Sequence, residues 1–249
     1  MLRADSLRKS FGNVRATDDV SVEFGKETGE MVFIVGPNGA GKTTLVNLLT
    51  GHLTPDSGRV LLDDEDVTGL SPDERVHAGL VRSFQVVKLF EEMTVRENVR
   101  TAVLSQHRLT RSMFTLRDGH QEVEQTVAGL IDKFGLAEHA DTVAEELAHG
   151  TRKLLDVAMS FGLDPDYLLL DEPTAGVSTR EKAYVIDTIA EVSREEGVTT
   201  VTIEHDMDIV SEYADRVVAL HQGGVHGEGP PDILETDDEL RRLLLGVEQ

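Results

Sequence analysis

The chain has 249 residues, of which 39% are hydrophobic and 28% charged, so it can bury a large core and is not expected to be disordered. It carries 46 Asp and Glu against 24 Lys and Arg, and this net charge of −22 disfavours direct binding to nucleic acid or to anionic lipid. It has no Cys, no apolar run long enough to cross a bilayer and no signal-peptide pattern, so we expect neither disulfides nor a membrane span.

The negative charge has two interpretations. It gives a well-solvated surface, or it is an adaptation to molar salt, where the Debye length falls to about 3 Å and self-repulsion is screened. Acidic runs such as DDED at 63–66 fit the second interpretation. That interpretation requires the free energy of unfolding to rise between low and molar KCl.

Strand-like apolar runs alternate with segments of helical periodicity, which predicts an α/β domain with a largely parallel sheet. The predicted strands are residues 21–24, 31–35, 59–62, 167–170, 199–203 and 217–220. The predicted helices are residues 43–49, 95–104, 123–134, 153–161 and 182–192. The β-rich first third predicts a small antiparallel layer, and QGG at 222–224 predicts a tight hairpin.

A glycine-rich loop, GPNGAGKTT at 36–44, lies between the strand-like MVFIV and the helical LVNLLTG. It matches G-x-x-x-x-G-K-[ST], in which backbone N–H groups wrap a phosphate, Lys42 reaches the terminal phosphates and the Thr43 hydroxyl binds Mg²⁺. The alternative is a glycine turn with an accidental Lys. The four fixed positions arise by chance about once in a hundred such chains, so the loop predicts a nucleotide site.

Two later strands end in polar residues. YLLL at 167–170 is followed by Asp171 and Glu172, which could support a metal ion and act as a general base, unless the strand simply runs out into solvent. The run TTVTI is followed by Glu204 and His205. His205 could contact a γ-phosphate, or it could be only a polar cap of the strand.

With these motifs in this order, Gln85 in RSFQ and LAHGT at 147–151, the chain resembles the ATP-binding cassette (ABC) ATPases over essentially its whole length. RSFQVVKLFEEMTVRENV, LLLDEPTAGV, TIEHDMDIV and RRLLLG are similar to the ATP-binding subunits of branched-chain amino-acid importers. The resemblance implies an α/β P-loop NTPase (RecA-like) core with a small antiparallel β subdomain and a helical insertion that carries the signature motif. The implied divisions are a core at 1–90 and 160–235, a helical subdomain at 91–159 and a C-terminal helix at 236–249.

The resemblance also implies ATP and Mg²⁺ as cofactors. Phe11 would stack on adenine, although a core Phe is the alternative. Glu172 would activate water and His205 would hold the γ-phosphate, as the catalytic pair. The implied metal-binding residues are Thr43, Gln85 and Asp171, and Gln85 would also contact a membrane partner. The other implied nucleotide-binding residues of the loop are Gly36, Pro37, Asn38, Gly39, Ala40, Gly41, Lys42 and Thr44.

LAHGT, which we call the signature segment, departs from the family's usual L-S-G-G-Q, which binds ATP held by the opposite subunit. Gly150 matches, whereas Ala148 lacks the Ser hydroxyl, His149 replaces Gly and Thr151 replaces Gln. We expect Thr151 to cap the following helix. All four residues from 148 to 151 are implied ATP contacts, in a weakened but usable signature.

The implied function is an ATP-hydrolysing subunit that energises an importer of branched-chain amino acids. Alternatives are another cargo such as urea, an amide or a lipid, a soluble or regulatory cassette without transport, and a P-loop kinase or GTPase, although no N-K-x-D is present. The implied partners are a second cassette, identical or different, permease subunits and, indirectly, an extracellular binding protein, with no nucleic acid. The implied location is the cytoplasm, at the inner face of the cell membrane through the permease.

Overall fold

The computed structural model describes residues 1–83, 89–106 and 118–245. Two β-sheets organise this part of the chain. The smaller, antiparallel sheet contains β1 (Leu2–Phe11), β2 (Val14–Phe24), β4 (Ser57–Leu62) and β5 (Glu65–Asp66). Its strand order is β2-β1-β4-β5, which confirms the predicted antiparallel layer.

The larger sheet confirms the predicted parallel core. It contains β3 (Met31–Val35), β6 (Leu80–Arg82), β7 (Tyr167–Asp171), β8 (Thr199–Ile203), β9 (Arg216–His221) and β10 (Gly224–Gly229). The order is β10-β9-β3-β8-β7-β6, with every neighbouring pair parallel except β10 with β9. That antiparallel pair is the predicted hairpin, and it turns through Gln222 and Gly223, both at positive φ.

The described helices follow the strands in the expected alternation. They are α1 (Lys42–Leu49), α2 (Pro72–His77), α3 (Val95–Gln106), α4 (Asp118–Lys133), α5 (His149–Phe161), α6 (Thr179–Glu196), α7 (Met207–Tyr213), α8 (Ile233–Thr236) and α9 (Asp238–Leu245). Helices α3, α4 and α5 lie in the long connection from β6 to β7 and pack on one another. Helix α5 also packs on α6.

The strand β3 shows how the core is divided, because all five of its side chains are buried. Met31, Phe33 and Val35 join the apolar residues of α3 to α7 on one face of the large sheet. Val32 and Ile34 face the other way, toward α1 and the antiparallel sheet. The period-2 alternation of a strand thus places α1 between the two sheets.

The carboxyl ends of four adjacent parallel strands, β3, β8, β7 and β6, meet at one edge of the large sheet. The glycine-rich loop at 36–44, which we call the phosphate loop, follows β3. Glu204 and His205 follow β8, Asp171 ends β7 and Arg82 ends β6. Ligands of open α/β sheets bind outside this edge. The topology therefore brings together groups that are far apart in sequence.

Several elements were not predicted, and one predicted boundary was wrong. The long strand β1 was not predicted, because its register with β2 shifts three times between Ala4 and Ser10 and breaks the alternation of buried side chains. Helix α5 begins at His149, four residues before the predicted start at 153. The short elements α2, β6 and α7 were also missed, since they are too brief to show a period.

No helix in the described ranges 1–83, 89–106 and 118–245 is both long and apolar enough to cross a membrane.

Candidate functional site

The backbone of the phosphate loop leaves no room for side chains at two glycines. Gly36 has φ 148°, and a Cβ there would lie 2.2 Å from the carbonyl oxygen of Leu220. Gly41 has φ 102° at the start of α1, and a Cβ there would lie 2.3 Å from the carbonyl oxygen of Ala16. The loop is therefore held open by contacts with β9 and β2 that only glycine permits.

Lys42 folds back across this loop. Its Nζ donates hydrogen bonds to the carbonyl oxygens of Gly36 at 2.6 Å and Pro37 at 3.1 Å. Burial lowers the pKa of Lys42, while the nearby charges of Glu172 and Asp171 oppose that shift. The loop thus concentrates a positive group and the N-terminus of α1 at one point of an acidic protein, as phosphate binding requires.

The other predicted loop residues differ in exposure. Asn38 and Gly39 are exposed and Pro37 is half-buried, whereas Ala40 is buried in the core between the two sheets. Thr43 is exposed at the start of α1, and Thr44 beside it is half-buried. The Thr43 hydroxyl is thus accessible to a ligand above the loop.

Glu172 follows β7 in an unusual backbone conformation. It has φ 50°, which is uncommon for a residue other than glycine and is found preferentially at functional sites. Its N–H donates to the carbonyl oxygen of Ile203 at 3.0 Å, which keeps the turn attached to β8. Its Oε1 lies 3.1 Å from Nε2 of His205, and both side chains are close to half-exposed. A carboxylate and an imidazole are therefore paired at the mouth of the site.

A buried carboxylate, Glu204, positions both members of this pair. Its Oε1 accepts a hydrogen bond from the Thr174 hydroxyl at 2.6 Å, and its Oε2 accepts one from the His205 N–H at 3.1 Å. Glu204 therefore ties the loop after Glu172 to the end of β8. The sequence pattern IEHD places Glu204 beside His205, but nothing in it indicates that the carboxylate faces inward.

Arg82 holds Asp171 in place through a hydrogen bond. The Arg82 Nη2 donates to Asp171 Oδ2 at 2.8 Å, and its Nη1 donates to Asn47 Oδ1 at 2.6 Å. Burial lowers the pKa of Arg82, and its hydrogen bond and charge interaction with Asp171 oppose the shift. Arg82 and Asn47 were both missed from sequence. The one available signal was an arginine inside the apolar run GLVRSF.

The donor set fits magnesium carried by a nucleotide better than a metal ion caged by protein. Within the described ranges, no group of three or more His, Cys, Asp or Glu could hold a metal ion. Of the residues predicted to bind the metal, Thr43 lies in the first turn of α1 and Asp171 ends β7. Mg²⁺ is commonly bound by one or two carboxylates together with substrate phosphates.

The signature segment, residues 147–151, runs into the first turn of α5. Ala148 is the N-cap and has no side-chain oxygen to accept from the first-turn N–H groups. The expectation that Thr151 caps the helix was wrong, because it is already the third helical residue. A Cβ built at Gly176 would lie 3.0 Å from Nε2 of His149, so this ring packs against the loop that follows Glu172.

The comparisons with known proteins agree with this geometry. The chain matches the family model described as ABC transporter over residues 18–175. The chain belongs to the ABC transporter family. It is 35% identical to the high-affinity branched-chain amino acid transport ATP-binding protein LivG of Escherichia coli strain K12, covering 99% of this chain and 98% of that one. It is 34% identical, at the same coverage, to the corresponding protein BraF of Pseudomonas aeruginosa.

Solved ABC cassettes share the fold. A nucleotide-free ATP-binding cassette from an ABC transporter has a TM-score of 0.83 and 29% identity, covering 100% of this chain and 99% of that one. An ATP-binding cassette of an ABC transporter in its ADP conformation has a TM-score of 0.82 and 29% identity, covering 99% of this chain and 98% of that one. These findings confirm the predicted family, its P-loop NTPase fold and its ATPase activity, and they exclude the kinase and GTPase alternatives.

Two further residues were predicted for the ABC site, Phe11 and Gln85, and Phe11 is among the described residues. Phe11 ends β1 with half of its surface exposed, and Nζ of Lys9 lies 6.0 Å from its ring centroid. The alternative of a core Phe is therefore wrong, and the ring is available for stacking on a base. Gln85 lies outside the described residues, so its metal and permease contacts stay predictions.

Proposed function

We propose that this ABC ATPase powers an importer of branched-chain amino acids. The observation that carries the hydrolytic part is the Glu172–His205 pair, 3.1 Å apart beside the phosphate loop. The cargo rests on the relatives of E. coli and P. aeruginosa, which are named for branched-chain amino acid transport and match this chain over nearly its whole length. A relative named as a probable branched-chain amino acid transport ATP-binding protein, that of Methanocaldococcus jannaschii, is 33% identical over 98% of this chain.

In the proposed site, ATP lies across the phosphate loop. Phe11 stacks on the adenine, Lys42 binds the terminal phosphates, and the exposed loop residues around Gly39 present N–H groups to them. Thr43, Asp171 and Gln85 are the residues that would hold Mg²⁺, which neutralises phosphate charge when bound. The buried ammonium of Lys42 supports this role. It donates hydrogen bonds to two carbonyl oxygens, and phosphate oxygens can take the place of these acceptors.

Glu172 accepts a proton from the attacking water, and His205 donates a hydrogen bond toward the γ-phosphate. Glu204 keeps the two groups on one side of the site through its bonds to Thr174 and to the His205 backbone. General-base catalysis is worth about 10²–10⁴ in rate. The strained φ of Glu172 supports the assignment, because such strain persists where the surrounding structure fixes a functional geometry.

We also propose that the signature segment binds the nucleotide of a second cassette, identical or different. At Gly150 its contact with its own chain is ordinary packing, since a Cβ there would meet Val177 and Glu181 at 3.6 Å. The exposed His149 and the first-turn N–H groups of α5 are the groups it offers to a triphosphate. The weak N-cap at Ala148 is consistent with a signature that functions below the strength of the usual one.

The remaining partners and the location follow from the same proposal. The cassette pair sits on permease subunits at the inner face of the cell membrane, with the helices between β6 and β7 and the Gln85 segment as the contact, and an extracellular binding protein delivers cargo. The division into a core at 1–90 and 160–235, a helical subdomain at 91–159 and a C-terminal helix at 236–249 is proposed on the same grounds.

The test is reconstitution of the complex in proteoliposomes, with ATP inside and labelled leucine, isoleucine or valine outside with the binding protein. We expect uptake that requires ATP and is lost in Glu172→Gln. Uptake of urea or a short amide, with none of these amino acids, would contradict the cargo. ATP-independent uptake by the wild type would contradict the energising role.

A further inference from the structure

Arg82 is a fully buried arginine at the end of β6, with 1% of its surface exposed. A buried guanidinium is costly unless its charge and its donors are satisfied. Two of its nitrogens are paired, to Asp171 at 2.8 Å and Asn47 at 2.6 Å, whereas its Nε has no partner among the described residues. The group therefore gives up one of its own hydrogen bonds while it joins these two residues.

The two partners of Arg82 belong to the two described elements that carry predicted metal-binding groups. Asp171 is itself one of these groups, at the end of β7. Asn47 lies on α1 four residues after Thr43, and positions i and i+4 share one face of a helix. The guanidinium thus spans from the helix face that bears the Thr43 hydroxyl to the carboxylate of Asp171.

We propose that Arg82 is a positioning residue that fixes the separation between Thr43 and Asp171 and thereby sets the affinity of the nucleotide site for Mg²⁺. This inference rests on the proposed nucleotide site. The hydrogen bond from Arg82 to Oδ2 of Asp171 holds the carboxylate in one orientation. A planar guanidinium can hold two partners in fixed directions, which a lysine ammonium does not reproduce.

The competing explanation is that the Arg82–Asp171 pair only stabilises the fold. Under that explanation, its loss lowers the melting temperature and weakens nucleotide binding equally with and without metal. Under our proposal the loss is specific to the metal-dependent part of binding. Groups that hydrogen-bond a metal-binding carboxylate are typically worth about 10–100-fold in metal affinity.

The experiment measures the affinity of the purified chain for the non-hydrolysable ATP analogue AMP-PNP, in excess Mg²⁺ and in EDTA. In Arg82→Lys we expect affinity in Mg²⁺ to fall about tenfold and the Mg²⁺ concentration at half-saturation to rise about tenfold. Affinity in EDTA should stay within about twofold of wild type, because the contacts of Lys42 and the loop are intact. Asn47→Ala removes only the α1 end of the bridge and should act in the same direction, by a smaller factor.

Arg75→Lys is the matched control. Arg75 is as buried as Arg82 and also bonds α1, through the carbonyl oxygen of Leu48 at 2.8 Å. Its other hydrogen bonds to described residues go to Leu49, Leu70 and Thr68, and none goes to Asp171. Its substitution should lower the melting temperature and leave the ratio of the two affinities unchanged. This control separates damage to α1 from loss of the bridge.

An unchanged ratio in folded Arg82→Lys overturns the proposal, and so does an equal fall in Mg²⁺ and EDTA. If Arg82→Lys does not fold, Asn47→Ala decides by the same criteria. If wild-type protein binds AMP-PNP no better with Mg²⁺ than with EDTA, the metal assignment of the proposed function fails instead. Failure of the bridge and failure of the site are thus distinguishable.

Discussion

The phosphate loop and the signature segment both contain glycine, for different physical reasons. At Gly36 a Cβ would lie 2.2 Å from a backbone oxygen of β9, so the chain's own fold excludes a side chain there. At Gly150 the nearest atoms would lie 3.6 Å from a Cβ, and the backbone is helical. The fold thus requires glycine at position 36 and not at position 150. Gly150 is itself buried, against Val177 and Glu181 of its own chain.

The largest expected effect concerns Glu172, which lies beside the phosphate loop. Glu172→Gln should reduce ATP hydrolysis by about 10²–10⁴, because the amide cannot accept the proton of the attacking water. ATP affinity should be unchanged. Phosphate release and nucleotide binding measure the two quantities, and Glu191→Gln, an exposed position on α6, is the control. Undiminished turnover would remove Glu172 from the role of base.

The second prediction sharpens the contrast between the glycines. Gly150→Ala should leave the ATPase activity of the assembled complex unchanged, because its methyl group meets Val177 and Glu181 of its own chain at ordinary contact distance and the backbone N–H is kept. The melting temperature should hold or rise, since Ala favours a helix by about 0.5–1 kcal/mol over Gly. Gly36→Ala should instead lower the melting temperature.

Gly129→Ala is the control for the helix effect, because Gly129 lies in α4 with no atom within 4 Å of a Cβ. It should give the same gain in stability and leave ATPase activity unchanged. A fall in ATPase activity in Gly150→Ala but not in Gly129→Ala would contradict this expectation.

The third prediction tests the loop itself. Lys42→Ala should weaken ATP binding by about 10–100-fold, since one charged group that bonds phosphate is lost. Isothermal titration with ATP in excess Mg²⁺ measures the change. Lys133→Ala serves as control, because Lys133 pairs with Glu196 on α6 and touches neither the loop nor the strand ends. Unaltered affinity in Lys42→Ala would contradict the phosphate-loop assignment.

The smallest effect concerns the weak N-cap. Ala148→Ser supplies a hydroxyl that accepts a hydrogen bond from a first-turn N–H of α5. Such a cap stabilises the folded protein by about 0.5–2 kcal/mol. For a chain of this size we expect the melting temperature to rise by about 2–4 °C per kcal/mol, and turnover of the complex to increase. Ala148→Val, which adds bulk without an oxygen, should do neither. Equal effects of Ser and Val would mean that capping is not the cause.

The phosphate loop and the strand ends could be predicted because each is a contiguous motif in a fixed strand–loop–helix context. The positioning residues could not, since their partners are distant in sequence: Arg82 and Asp171 are 89 positions apart, and Glu204 and Thr174 are 30 apart. The start of α5 was misplaced because Ala148 and His149 give no capping signal. Strand β1 was hidden by its shifts of register with β2.

The packing of His149 against Gly176 has a consequence for how two subunits communicate. In the proposed pair, His149 faces the ATP of the other subunit, while Gly176 belongs to the loop that leaves the catalytic Glu172 of its own chain. In this proposed pair, the His149 ring that contacts the ATP of the other subunit therefore packs against the loop that follows Glu172, the proposed base for the chain's own ATP. A departing phosphate on one side would be felt across a single van der Waals contact, so alternation between the two active sites needs no long relay.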